Sequence, residues 1–290
     1  MYHIIVNPVS GKRGKRGLKN LAVVERVFKD AGKDYLVHAT ATAGDGTEIA
    51  RRLTLAGENK LVVIGGDGTL HEVLNGIAEP SQCRLGLIPS GTGNDFATTL
   101  GIPLDAEKAA RLVVEGKVKP VDYLEVGGVR CMNVGGTGID VDVLIRCQQG
   151  KFFKGKIKYM MSLLKSLSKF KGCKIEIEAN GEKKTHNALI AVACNGTRFG
   201  GGIRICPPAK VDDGKLDVLT VECLSKRQMI KAFMKLLRGK ITTYPLTEHF
   251  LADRVRIIPE TPQTVQLDGE LYDGLDFTAE IKSGLSMYRP

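Results

Sequence analysis

Residues 61–77, LVVIGGDGTLHEVLNGI, constrain the fold more than any other stretch of the chain. Leu61, Val62, Val63 and Ile64 form an unbroken, largely β-branched apolar run, the pattern of a strand buried on both faces in a parallel sheet. Beyond it Leu70, Val73, Leu74 and Ile77 recur at helical spacing, so Gly65, Gly66, Asp67 and Gly68 are expected to link strand to helix. Such a link directs backbone N–H groups from a helix N-terminus, where partial positive charge suits phosphate. A carboxylate there repels bare phosphate unless a cation lies between them, so Asp67 points to a Mg–nucleotide complex. A single Gly-rich turn can also be no more than a tight turn.

The alternation repeats through the first 120 residues. YHIIVNPVSGKRGKR reads as strand, turn and basic loop, before a helix carrying Leu21, Val24, Val27 and Phe28. YLVHAT gives a strand, TEIARRLTLAG a helix with Ile49, Leu53 and Leu55, and LGLIPSGTGNDFATTLG a strand at Leu85 to Ile88 with a second Gly-rich turn. Strands and helices in alternation predict an α/β domain with a doubly wound parallel sheet. Ligands of such sheets collect outside the carboxyl ends of the strands, so NPVSG, GGDGT and SGTGND are expected to meet in one crevice.

Near Pro120 the pattern changes to short strand-like runs, among them VDYLEV, CKIEIEA, NALIAVACNG, LDVLTVE, RVRIIP and TVQLDG. KIEIEANGEKK alternates apolar and charged positions and then turns at Asn180-Gly181, a hairpin signal. The expected division is an α/β nucleotide-binding domain over 1–120 and a mainly antiparallel β-rich substrate domain over 121–290, with a cleft between them and a last strand able to return to the first domain.

With 290 residues and 43% hydrophobic composition, the chain can bury one large or two ordinary cores. A net charge of +10 calls for an acidic partner, whether nucleic acid, anionic membrane or phosphorylated ligand. Seven cysteines, an odd number without a CxxC pair, indicate neither a disulfide framework nor a zinc knuckle, and fit reduced thiols in a cytosol. The chain opens directly on a strand and has no run of about 18 apolar residues, so neither a signal peptide nor a membrane span is expected, and membrane contact should be peripheral, at the inner face. Residues 151–171, KFFKGKIKYMMSLLKSLSKFK, combine seven lysines and no acid with apolar residues at helical spacing. Lys151, Phe152, Phe153, Lys154, Lys158, Lys165 and Lys169 are thus candidates for an anionic membrane surface, against the plainer reading of a core-packed helix with a solvated lysine face. KRQMIKAFMKLLRGK, 226–240, repeats the pattern.

Four motifs in order, VNPVSGK (6–12), GGDGTLHEV (65–73), IPSGTGNDFA (88–97) and QLDGE (266–270), span nearly the whole chain and resemble the diacylglycerol kinase catalytic family, especially its small bacterial lipid kinases. The resemblance implies ATP and Mg²⁺, with transfer of the γ-phosphate to the hydroxyl of diacylglycerol or a related lipid alcohol, and no role for nucleic acid. By motif matching, Asn7, Pro8, Val9, Ser10, Gly11, Thr40, Gly66, Asp67, Gly68, Thr69, Leu70, His71, Glu72 and Thr92 contact the nucleotide. His71 stands where these kinases often carry Asn. Asp67 and Asp95 organise the catalytic metal, with Asp122 a further candidate, although Asp95 could equally be a helix cap. A second metal position falls at PPAKVDDGKLDVL, with Asp213 and the carbonyls of Lys210 and Lys215, where an ion-free Asp-Gly turn is the alternative. Phosphoryl transfer needs a carboxylate to take the proton of the attacking hydroxyl, and Asp268 or Glu270 is expected to supply it together with the catalytic Asp67. An NAD kinase, whose GGDGT turn is similar, and a nucleotide-regulated membrane-binding protein without turnover are the competing readings. SGTGNDFA and the acid-free basic stretches favour a lipid kinase over the first, and the set of acids at Asp67, Asp95, Asp268 and Glu270 disfavours the second. Oligomeric state, a homodimer included, is open.

Overall fold

Strands β1 (Tyr2–Val6), β2 (Tyr35–Ala39), β3 (Lys60–Gly65) and β4 (Arg84–Pro89) lie in the order β4-β3-β1-β2 and pair in parallel. The computed structural model describes residues 1–11, 14, 16–149, 165–167, 169–223, 225–261 and 264–290. Helices α1 (Arg16–Asp30), α2 (Asp45–Leu55), α3 (Asp67–Gly76), α4 (Asp95–Thr99) and α5 (Ala106–Val114) alternate with these strands. Ile4, Ile5, Val6 and Leu61 to Ile64 are fully buried, as continuous apolar runs require when helices cover both sheet faces. In α1 the inward stripe is Val24, Val27 and Phe28, with Leu21 at its margin. In α2 the expected stripe is displaced. Gly46, Ala50, Leu53 and Thr54 face inward while Leu55 is 71% exposed, because the next residue along a helix points about 100° away from its predecessor.

The β3–α3 junction is tighter than a four-residue link. Gly65 closes the strand and Asp67 opens the helix, leaving Gly66 alone between them, so Gly68 is helical. None of these three glycines has a positive φ. Their smallness serves close approach instead: a Cβ on Gly65 would lie 2.4 Å from the Thr69 side chain, and one on Gly66 would lie 2.9 Å from the Cα of Gly91 in the second Gly-rich turn.

After β5 (Val118–Val126), β6 (Val129–Cys131), β7 (Val134–Gly138) and helix α6 (Ile139–Gln149), the chain is chiefly antiparallel. β8 (Cys173–Ala179), β9 (Glu182–Cys194), β10 (Leu216–Glu222), β11 (Thr247–Ala252), β12 (Arg254–Pro259), β13 (Thr264–Leu267) and β14 (Glu270–Asp273) follow, with α7 (Lys226–Leu237) after β10. Asn180 and Gly181, both at positive φ, turn β8 into β9 as the sequence suggests. In β9, Ala188, Ala191 and Ala193 join one apolar cluster, whereas Leu189, Ile190, Val192 and Cys194 join another that includes residues of α6 and α7. The final strand β15 (Phe277–Tyr288) pairs antiparallel with β12 and β5 and parallel with β4. Its register shifts between Lys282 and Leu285, where Gly284 takes φ +113°, so Phe277 and Ala279 pack in one core and Leu285, Met287 and Tyr288 in the other. That return makes the two sheet regions one continuous ladder.

Candidate active site

Three turns at the carboxyl ends of the parallel strands come together. Ser10 Oγ and Ser90 Oγ are 2.9 Å apart, and Asn7 Nδ2 donates to Thr69 Oγ1 at 3.4 Å. Asn7 Oδ1 also accepts from the Val9 amide, while Thr40 caps the end of β1 through its N–H to Val6 O. Pro8 and Val9 lie at the surface and Gly11 sits at φ +82° against the Ser90 carbonyl. The meeting of Gly66 and Gly91 is close enough that Gly91→Ala, whose Cβ would fall 2.5 Å from Gly66 Cα, must push two backbones apart. We expect it to destabilise the fold by about 1–3 kcal/mol, measured as a lowered urea midpoint; an unchanged midpoint would show that the turns are not in contact.

Asp67 spans two of these turns. Its Oδ2 accepts from the Asp95 amide and its Oδ1 from the Phe96 amide, each at 3.2 Å, so Asp67 rather than Asp95 caps α4. Asp95 is thereby free to turn its own carboxylate to the Gly201 amide, 2.7 Å away. Burial pushes the Asp67 carboxyl above the usual range despite these amides, and burial followed by the neighbouring Asp67 charge pushes Asp95 up to about 6. Both carboxylates approach Gly93 closely: a Cβ there would stand 3.0 Å from Asp67 Oδ2 and 3.4 Å from Asp95 Oδ2, so only glycine lets the two acids share this part of the cleft.

Asp268 and Glu270 occupy opposite environments. Asp268 and Gly269, both at positive φ, form the two-residue turn between β13 and β14. The Asp268 side chain is 4% exposed and accepts from Met132 N and Asn133 N at 2.8 Å, with the Cys131 thiol and His71 Nδ1 at 3.2 Å. Burial alone would raise its pKa, but the hydrogen bond and charge of His71 and the Met132 amide outweigh it and hold the carboxyl low. Glu270 is exposed, and its Oε1 lies 3.5 Å from where a Cβ on Gly68 would be. Of these two, Glu270 is the one with lone pairs available beside the Gly-rich turn.

Other sequence candidates take up structural positions. His71 is buried and spends Nδ1 on Asp268 and Nε2 on the Tyr272 hydroxyl at 2.7 Å, tying α3 to the β13–β14 hairpin. The Glu72 carboxylate accepts from the Gly44 and Gly46 amides at the start of α2, 3.0 Å each. Leu70 is a core residue. Asp122 accepts from the Gly214 amide at 2.8 Å and from Ser283, which associates it with the Asp213 turn instead of Asp95. Asp213 itself is exposed and accepts from the Lys215 amide at 3.1 Å, a local turn bond. Lys210 is exposed.

A cleft of about 410 Å³ is lined by Thr92, Gly93, Asp67, Asp95 and Asp268 together with the apolar Val134, Leu144, Phe199, Ile203 and Leu237. A small apolar cavity continues from it beneath Leu189, Phe233 and Leu236. Asp140, at the start of α6, lines both spaces, and burial pushes its carboxyl up to about 6. Among the described residues neither carboxylate oxygen has a partner at good hydrogen-bond geometry, although the Val141 amide and the Gln266 side chain stand close enough to oppose the effect of burial. Sequence reasoning missed Asp140 because an acid at a helix start reads as an ordinary charge–dipole placement. Of the basic stretch, Lys151, Phe152, Phe153, Lys154 and Lys158 lie outside the described residues, while Lys165 and Lys169 are exposed. Among the described residues no helix is long and apolar enough to cross a membrane.

An α/β nucleotide-type crevice, closed by a β-rich half that contributes a DGE hairpin, defines a kinase architecture. Residues 1–126 match the diacylglycerol kinase catalytic domain, and residues 133–285 match the YegS C-terminal NAD kinase beta sandwich-like domain. The chain is 32% identical over 278 residues to a diacylglycerol kinase of Bacillus subtilis (strain 168), covering 94% of this chain and 90% of that one. A diacylglycerol kinase of Staphylococcus carnosus (strain TM300) is 29% identical over 291 residues, covering 99% and 94%. A crystal structure of a diacylglycerol kinase from Bacillus anthracis str. Sterne superposes with TM-score 0.82 at 28% identity, covering 100% of this chain and 96% of that one. The chain belongs to the diacylglycerol kinase family and is a lipid kinase. That assignment sets aside both the NAD kinase and the non-catalytic readings.

Proposed function

We propose that this lipid kinase transfers the γ-phosphate of ATP to the hydroxyl of diacylglycerol or a related lipid alcohol. One observation carries the reading: a single cleft brings the carboxylates of Asp67, Asp95 and Asp268 and the Gly-rich turn at Thr92 and Gly93 together with apolar walls. The nucleotide phosphates lie along the 7–11, 66–69 and 91–93 turns, whose backbone amides and helix N-termini favour anions. Glu270 accepts the proton of the attacking hydroxyl, while Asp268, with its lone pairs engaged, fixes the hairpin that presents Glu270. Asp140, an acceptor at the neck between the polar and apolar spaces, orients the polar end of the lipid by hydrogen bonding.

The residues suit Mg²⁺. Asp67 and Asp95 are all-oxygen donors that both approach Gly93, and two buried carboxylates of raised pKa favour a cation between them. When bound, Mg²⁺ neutralises charge on the transferring phosphoryl group. Asp213, with the carbonyls of Lys210 and Lys215, is the donor set we propose for a second Mg²⁺ or Ca²⁺, adjoining Asp122 through Gly214.

Peripheral attachment to an anionic membrane fits α7, which exposes Ile230, Met234 and Leu237 among Lys226, Arg227, Lys231 and Lys235. Lys226 Nζ donates to the carbonyls of Leu167 and Phe170, which brings the end of the basic 151–171 stretch against this helix. Basic groups at an anionic leaflet contribute about 1 kcal/mol each. The quadruple variant Lys165→Gln, Lys169→Gln, Lys231→Gln, Lys235→Gln is therefore expected to sediment less with phosphatidylglycerol vesicles, and added salt should weaken wild-type binding likewise. Salt-independent sedimentation would remove the electrostatic reading. The function itself is tested by transfer of labelled γ-phosphate from Mg-ATP to diacylglycerol, phosphatidylglycerol, a sphingoid base and a polyprenol in mixed micelles, with NAD as soluble control. Labelled diacylglycerol is expected, and label in none of the lipids would reject the proposal.

A further inference from the structure

We propose that Cys206, Asp217 and His249 form a three-ligand binding site for a borderline-soft divalent cation of the Zn²⁺ class, and that this ion pins residues 195–215 against the sheet. Sheet geometry assembles the site. Asp217 in β10 pairs directly with Cys194 in β9, so their side chains share a face. On the other side Asp217 pairs with Leu251 of β11, and His249, two residues earlier, points the same way. Cys206 comes down on this face from the segment joining β9 to β10, held by its amide to the Thr197 carbonyl.

The donor atoms of Cys206, Asp217 and His249 all lie within 4.8 Å of one another. His249 Nε2 stands 3.7 Å from Cys206 Sγ and 2.6 Å from Asp217 Oδ1. These three protein donors leave a fourth tetrahedral position to water. Ligands of a tetrahedral Zn²⁺ stand about 3.3–3.6 Å apart. The sulfur–nitrogen spacing is already there, and the nitrogen–oxygen spacing must open by about 0.7 Å to reach that separation. A 24% exposed His249 side chain on β11 can swing that far, whereas Asp217, 4% exposed, stays put. Thiolate and imidazole donors select Zn²⁺-like ions over Mg²⁺, so this site does not compete with the oxygen-only carboxylates of the cleft. On binding, the ion takes the place of the Nε2 proton of the His249 imidazolium and of the Cys206 thiol proton, both of which leave to solvent, while Nδ1 keeps its proton.

The consequence lies in what the pinned segment does. Five residues before Cys206, the Gly201 amide donates to Asp95, and Thr197 Oγ1 meets Thr99 Oγ1 at 3.0 Å, so the segment holds α4 in place beside the carboxylates of the cleft.

The test uses the full chain with reduced thiols and Co²⁺ as a visible stand-in for Zn²⁺. We expect one Co²⁺ to bind with a sulfur-to-metal charge-transfer band, Zn²⁺ to displace it, and Zn²⁺ to slow amide hydrogen exchange within 195–215. Because Asp67 and Asp95 offer no sulfur, that band distinguishes this site from the cleft, and the variants assign it to Cys206. His249→Ala and Cys206→Ser should each weaken binding by about tenfold or more, while Cys147→Ser in α6 should leave it unchanged. A folded wild type without the band, or a band that survives in both variants, overturns the site; a band with no change in exchange overturns the pin. The wild-type measurements stand even if a variant fails to fold.

Discussion

Replacing Glu270 by Gln is expected to lower kcat by roughly 10²- to 10⁴-fold while leaving thermal stability and ATP binding close to wild type. The amide keeps the shape of the side chain and loses only its ability to take a proton. Glu270 is exposed, and among the described residues its side chain has no hydrogen bond or ion pair to forfeit in the way that Asp268 does. Asp268→Asn should give the opposite profile. Its NH₂ group would confront the Met132 or Asn133 amide, and His71 would lose its buried carboxylate, a cost on the order of 3 kcal/mol in fold stability. Measured together, the pair separates proton acceptance from scaffolding. Wild-type kcat in Glu270→Gln would move the base elsewhere.

The parallel half was legible because its signals are local and redundant. Leu61 to Ile64 and Leu85 to Ile88 are continuous apolar runs, and a strand buried on both faces can be read from nothing more. Asn180-Gly181 was legible for a similar reason, since a two-residue turn at positive φ selects those residue types. Leu55 is exposed although, one step beyond an inward stripe, it looks the same in sequence as an apolar residue within it.

Side-chain roles set by distant residues were harder. The pairing of Asp67 with the α4 amides spans 28 residues, and that of His71 with Asp268 spans 197, so no local pattern announces either. Asp268 and Glu270, two apart, were read as equivalent carboxylates, whereas the positive φ at Asp268 and Gly269 sends one into the protein and leaves the other at its surface. The thiol, imidazole and carboxylate of Cys206, His249 and Asp217 come from a loop and two strands, with no CxxC spacing to flag them. Cysteine arithmetic sees only ligands close in sequence.

Asp67→Asn is the second variant for which a large effect is expected, and the hydrogen bonds of Asp67 decide why Asn is the informative substitution. Asp67→Ala would remove the cap of α4 along with the charge, at a cost of about 1 kcal/mol, and would confuse loss of structure with loss of chemistry. Asn retains one carbonyl oxygen for those amides and removes the charge. If the Asp67–Asp95 pair organises a cation at the phosphoryl group, that charge should be worth on the order of 3 kcal/mol in the transition state, or about a hundredfold in kcat. Stability in the absence of metal should fall only modestly: the Asn NH₂ group would face one of the two α4 amides, but Asp67 is buried beside another carboxylate where its ionised form is disfavoured, so removing the charge offsets part of that cost. Wild type should gain thermal stability on adding Mg²⁺ with nucleotide, and Asp67→Asn should lose most of that gain. Turnover close to wild type in folded Asp67→Asn, with the Mg²⁺-dependent stabilisation intact, would mean that the Gly-rich turn binds phosphate without organising a metal.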